Sequence, residues 1–149
     1  MTREIDDPLY IDTNALVALF DADDERHQTA KEVFTGIRRG ELSYGPLYTS
    51  RFVIAETATT VLGNVGHDEA VEAVRTVRNS TSITVLSADP AAFDRTVSRF
   101  VAYDDHRISF VDHTNGVLAD EHDIDHVFAF DDDFATLGLT QVPVDTGEV

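Results

Sequence analysis

Four carboxylates are set apart by their position: Asp12, Glu56, Asp112 and Asp131. Three follow apolar segments directly, with Ile11 before Asp12, Phe110-Val111 before Asp112 and Phe128-Ala129-Phe130 before Asp131. Glu56 lies one turn into a helical pattern, near the face that carries Phe52 and Val53. A carboxylate so close to a core is costly unless it is paired or metal-bound. Several gathered together repel until one takes a proton. A hard divalent cation removes both penalties, and Mg²⁺ or Mn²⁺ favours an all-oxygen shell of a few carboxylates plus water. Such an ion sharpens a water nucleophile and neutralises charge on a phosphate under attack. The competing reading makes each acid a helix cap or half of a surface ion pair. It explains any one of them more easily than all four.

The elements that must position these acids are legible as alternating apolar runs and amphipathic helices. Leu9-Tyr10-Ile11 reads as a strand ending on Asp12, followed at once by a helix through Ala15–Phe20. A second helix carries Ala30, Val33, Phe34 and Ile37 and stops at Gly40. A short strand, Leu47-Tyr48-Thr49, follows Pro46, and Ser50 caps a helix bearing Glu56 that runs to Gly63-Asn64. The next helix turns Ala70, Val71, Val74 and Val77 inward, and Ile83–Leu86 is a β-branched strand. Asp89-Pro90 opens a helix whose apolar face is Phe93, Val97, Phe100 and Val101. Ile108–Val111 leads into Asp112 and a further helix, and Val127–Phe130 is a buried strand ending on Asp131. A short helix at Phe134 and Leu137 and an edge strand at Gln141-Val142-Pro143 complete the pattern. Helices alternating with short apolar strands predict an α/β fold, a three-layer αβα sandwich around a mostly parallel sheet. A chain of 149 residues suits one domain, with its core over about residues 9–143. In such sheets ligands sit at the carboxyl ends of the strands, where Asp12 falls.

These motifs resemble the four acidic motifs of the PIN-domain ribonucleases. The likeness rests on Asp12-Thr13-Asn14, the helical Ala55-Glu56, Ser109-Phe110-Val111-Asp112 and Phe130-Asp131-Asp132-Asp133-Phe134, in order from Leu9 to Pro143. It is closest to the short single-domain toxins of VapBC type. The resemblance implies a metal-dependent endoribonuclease in which water attacks a phosphodiester in line. Asp12, Glu56 and Asp112 would be the core metal ligands for Mg²⁺ or Mn²⁺, completed by Asp131. Thr13, Asn14 and Thr114 would orient waters or an Asp side chain. The triple acid leaves Asp133 as the alternate fourth ligand; Asp131 is preferred because it follows the strand. The implied partners are an RNA substrate, a small antitoxin protein and a second copy of the chain, with the dimer surface on the first two helices and the Val71–Val77 helix. Two other functions compete: a nuclease in housekeeping RNA processing, and a non-catalytic acidic interaction module.

Charge pulls against RNA. The chain has 28 Asp and Glu against 11 Lys and Arg, a formal net charge of −17, and Lys31 is its single lysine. Repulsion from a polyanion would be strong at low salt and screened within roughly 3 Å at 1 M. An Asp-rich, Lys-poor but regularly patterned chain resembles proteins of halophilic cytoplasms, so a halophilic archaeal source is expected. Arg51, at the start of the helix bearing Glu56, is the leading residue for a phosphate contact. The absence of cysteine excludes disulfides and thiolate metal sites. A polar, acidic N-terminus and short apolar runs argue against a signal peptide or membrane span, so a cytoplasmic protein is expected. Asp21–Glu32 imitates a calcium loop, but Arg26 occupies the position that needs glycine. The six histidines show no paired metal spacing and read as solvated or packed; His113 is the one nearest the acids.

Overall fold

The computed structural model describes residues 6–148. Its elements in chain order are β1 (Asp7–Ile11), α1 (Thr13–Phe20), α2 (His27–Arg38), β2 (Tyr44–Ser50), α3 (Arg51–Asn64) and α4 (His67–Asn79). They continue with β3 (Ile83–Leu86), α5 (Pro90–Ala102), α6 (Phe110–Glu121), β4 (His126–Ala129), α7 (Asp133–Thr136) and β5 (Thr140–Pro143). The five strands form one sheet in the order β3-β2-β1-β4-β5, and every pairing is parallel. That is the α/β architecture the pattern predicts.

The order explains the sequence of β1. As the central strand it is covered on both faces, so Leu9, Tyr10 and Ile11 are all fully buried instead of alternating. Val127, Phe128 and Ala129 of β4 are buried in the same way. Tyr10 pairs with Tyr48 on one side and Val127 on the other, which puts the residues just after β1, β2 and β4 along one edge.

Several elements differ from expectation. β2 begins at Tyr44, not Leu47, because the ladder continues through a register shift between Asp7↔Tyr44 and Leu9↔Leu47. This bulge absorbs Pro46, which has no N–H to offer. No strand precedes Asp112. Ser109 instead caps α6 by accepting from the Asp112 N–H, which places Asp112 in the first helical turn. β4 ends at Ala129, so Phe130 separates the strand from Asp131. In α4 the inward residues are Ala70, Ala73 and Val77, with Val71 and Val74 only half-buried.

The largest departure is α5. Phe93, Val97, Phe100 and Val101, its expected apolar face, are 45%, 39%, 47% and 69% exposed. The helix packs on α6 through Ala92 and Thr96 instead. Small residues let the two helices approach closely, which turns the neighbouring bulky stripe outward. Only the rims of that stripe are supported, where Phe93 and Phe100 meet the ring of Phe110.

Candidate active site

Asp12 is the residue at which β1 becomes α1. Its N–H completes the sheet by donating to the Phe128 carbonyl, and its extended backbone makes it the N-cap of α1. Only 2% of the residue is exposed. The Asn115 side chain on α6 donates to Asp12 Oδ1 at 3.1 Å, and Asn115 Oδ1 in turn accepts from the Tyr10 hydroxyl at 2.6 Å. Asp12 is thus aimed by a buried chain of three side chains from β1 and α6.

Asp112 reaches the same point from the first turn of α6, and Asp131 from the loop after β4. One carboxylate oxygen from each of Asp12, Asp112 and Asp131 lies within 4.8 Å of the others. Asn14 fixes Asp131 by donating to Oδ2 at 3.0 Å while its own oxygen accepts from the Phe130 N–H. The Asp133 N–H donates to the other oxygen of Asp131. Asp133 itself starts α7 and does not join the three.

Glu56 is placed differently. It lines the same cleft of about 290 Å³ as Asp12, Thr13, Asn14, Asp24, Asp112 and Asp131. Its Oε1 accepts from the Thr13 hydroxyl at 2.7 Å, and it is not among the three converging carboxylates. Thr114 lies outside the constellation as well, because its hydroxyl donates to the Phe110 carbonyl within its own helix. Asn115 performs the orienting that was expected of Thr114. The signal for it was present: three residues after Asp112, it stands on the same helix face. Arg51 does not line the acidic cleft; it faces a separate hollow with Arg78. His113 is buried with its Nδ1 unpartnered, its ring packed edge-on against Phe100 and Tyr103. Burial, and then the nearby charge of Arg99, lower its pKa, so it is a neutral core residue.

The electrostatics of the cleft are those of a cluster lacking counter-charge. Burial raises the pKa of Asp12 well above the ordinary carboxylate value, and the charge of Asp112 raises it further. Asp112 is pushed up to about 7 by burial, then by the charges of Asp131 and Asp133. Asp131 is raised mainly by burial, which the Asp133 N–H partly offsets. Three carboxylates brought this close, two of them fixed by hydrogen bonds and the third carried on the capped first turn of α6, fit a hard divalent cation well. Larger hollows exist, among them a groove of about 700 Å³ between α1, α2, β2 and α4, but among the described residues its lining is mostly apolar and holds no acid.

The pattern of a conserved protein family covers this arrangement: residues 9–138 match the model described as the PIN domain. The chain belongs to the PIN-domain family. This PIN domain is 32% identical over 135 residues to the 23S rRNA-specific endonuclease VapC20 of Mycobacterium tuberculosis, spanning 90% of this chain and 97% of that protein. It is 29% identical over 114 residues to the ribonuclease VapC26 of the same organism, spanning 76% and 79%. The crystal structure of VapC20, described as a sarcin–ricin loop cleaving toxin, superposes with a TM-score of 0.80 at 31% identity, covering 89% of this chain and 96% of that one. These relatives are mycobacterial and carry no support for a halophilic source.

Proposed function

We propose that this PIN domain is a divalent-metal-dependent endoribonuclease acting as the toxin of a toxin–antitoxin pair. The observation that carries the reading is the convergence of Asp12, Asp112 and Asp131 within 4.8 Å. A purely solvating set of acids has no reason to be aimed inward by Asn115 and Asn14. Asp12, Asp112 and Asp131 would hold Mg²⁺ or Mn²⁺; when bound, such an ion supplies Lewis acidity toward water and phosphate oxygens. Glu56, held by Thr13 at the margin of the three, is positioned to accept a proton from a water approaching the cleft. Asp133 braces Asp131 through its backbone. The products would be RNA fragments cut at a phosphodiester bond.

The first substrate to test is the sarcin–ricin loop of 23S rRNA, the target named for the VapC20 relative. Cleavage with Mn²⁺ by the wild type but not by Asp12→Asn, together with calorimetric Mn²⁺ binding that disappears in Asp12→Asn/Asp112→Asn, is the expected result. A fully active Asp12→Asn protein would overturn it.

An antitoxin partner is what the family resemblance implies, and a basic side chain inserted from such a partner would offset the charge of the acids. Self-association would use α5, where the large apolar side chains Phe93, Phe100 and Val101 stand exposed. Light scattering on Val101→Glu is expected to report monomers where the wild type forms dimers. The 28 acids against 11 basic residues support a working environment of high salt, with stability that rises as KCl is added.

A further inference from the structure

We infer that Arg51 and Arg78 form a second anion site, one that takes a backbone phosphate of the RNA strand beside the scissile position. The inference rests on the ribonuclease reading above. The two arginines line a cleft of about 560 Å³ together with Ile54 and Val85, and among the described residues no acid lines it. The groove between α1, α2, β2 and α4 also lacks acids among its described lining, but there Lys31 and Arg38 stand in a mostly apolar setting. The hollow along α2 sets Lys31 and Arg39 among Glu32, Glu41 and Glu148. The one beside Gly116 sets Arg99 among Asp120, Asp123 and Asp125. Arg95 and Arg99 are ion-paired to Asp120, and Arg95 also to Glu121. Among the described residues, neither Arg51 nor Arg78 has a carboxylate within 4.0 Å.

The fold explains how two like charges come together. Arg51 opens α3 and Arg78 stands one residue before the end of α4. The two helices pack on each other and are joined only by Val65-Gly66, so the start of one lies beside the end of the other. Their repulsion is relieved by solvent or by a bridging anion. Guanidinium groups are suited to phosphate oxygens, which they meet with paired N–H donors.

The location fits a substrate contact. Ser50 pairs with Leu86, so Arg51 leaves β2 at the same carboxyl edge of the sheet where Asp12 leaves β1. β3 is two strand spacings from β1, on the order of 10 Å. Along α3, Arg51 and Glu56 differ by five residues, about 7.5 Å of helix rise. Glu56 looks into the acidic cleft and Arg51 into the arginine cleft, so α3 is a divider with one cleft on either side. A strand lying across the start of α3 would present one phosphate to the acids and their metal, and a neighbouring one to the arginines.

The test measures anisotropy of a labelled single-stranded RNA from 0.1 to 1 M KCl, in a cleavage-silent Asp112→Asn background. Adding Arg51→Ala/Arg78→Ala is expected to make the plot of log affinity against log salt shallower by about 1.4, two single-strand contacts at roughly 0.7 each. Arg51→Lys/Arg78→Lys, which keeps the charge, should keep most of that slope. In the active background the double alanine variant should raise KM on the order of 10-fold with kcat little changed. Its calorimetric Mn²⁺ binding should equal that of the wild type, which shows that the acid site and the fold are intact. An unchanged slope overturns the inference, whether or not the wild type cleaves RNA. Displacement of the RNA by equimolar inorganic phosphate would also overturn it, in favour of a free-anion site. A changed slope in a protein that cleaves no RNA would leave the arginine site standing and remove the ribonuclease reading.

Discussion

The two sides of α3 are electrostatic opposites built by different means. On one side, Asp12, Asp112 and Asp131 are buried or half-buried; Asn115 holds Asp12, Asn14 and the Asp133 N–H hold Asp131, and the Ser109 cap fixes the backbone of Asp112. On the other, Arg51 and Arg78 are exposed and brought together only by the antiparallel run of two helices. The acids are preorganised, so the cost of their burial, with their mutual repulsion added, is stored in the fold and appears as raised pKa values. The arginines are free to part in water, so they store little. The first arrangement suits an ion that must be placed to within fractions of an ångström. The second suits a flexible polyanion that needs only to be held nearby.

This contrast orders the expected effects. The largest is the loss of an inner acid: Asp12→Asn or Asp112→Asn should lower Mn²⁺-dependent cleavage by at least ~100-fold, above the range typical of outer-shell changes. Next comes Asn115→Ala, which frees the buried Asp12 carboxylate without altering any acid. Calorimetry should show Mn²⁺ affinity lower by ~10- to 100-fold. An unaffected affinity would mean that the cluster is not preorganised, and the contrast with the arginines would fail.

The acid side should also reveal itself without metal. Asp112 holds its proton up to about pH 7 in the folded chain, against an ordinary value of 3.8. Because the folded state binds the proton more tightly, the stabilising term is full below the ordinary value and is lost as pH rises through about 7. Thermal unfolding in a chelator should therefore show wild-type stability falling relative to Asp112→Asn between about pH 4 and 7, and Mn²⁺ should restore it. Arg51→Ala/Arg78→Ala should not change that profile. The smallest effects belong to the helix caps, Ser109→Ala under Asp112 and Ser50→Ala under Arg51. Each should cost about 1 kcal/mol in denaturant unfolding. Only Ser109→Ala should also weaken Mn²⁺ binding, since only it disturbs a preorganised ligand.

Which parts of this were legible in the sequence follows from what a local pattern encodes. Strand ends and helix caps are local, so Asp12 after Ile11, Ser50 before α3 and Asp89-Pro90 before α5 could be read from types and spacing. The choice of Asp131 over Asp133 agrees with the observed cluster, although the stated reason does not, because Phe130 intervenes between strand and acid. Asn115 was missed because its value lies in contacts with Tyr10 and Asp12, more than a hundred residues away in sequence. The α5 stripe was misplaced because helical periodicity finds an apolar face without saying what covers it. Here Ala92 and Thr96 won the contact, since small residues allow a closer approach to α6. The arginine pair was half visible: Arg51 could be singled out, but its partner depends on how α3 and α4 fold back.

The order of the central sheet bears on when the protein becomes active. β1 is flanked by β2 and by β4, and its Asp12 N–H is satisfied only by the carbonyl of Phe128. Asn115 and Asp131, which complete the cleft, also come from the last third of the chain. A ribosome that has extended the polypeptide only through α5 has produced a central strand with one side unpaired and one of the three converging carboxylates. The acidic cleft therefore cannot form on a chain that stops short of Asp112 and Asp131. In a family that includes a 23S rRNA-specific endonuclease, this topology keeps the acids apart while the ribosome is still building the chain.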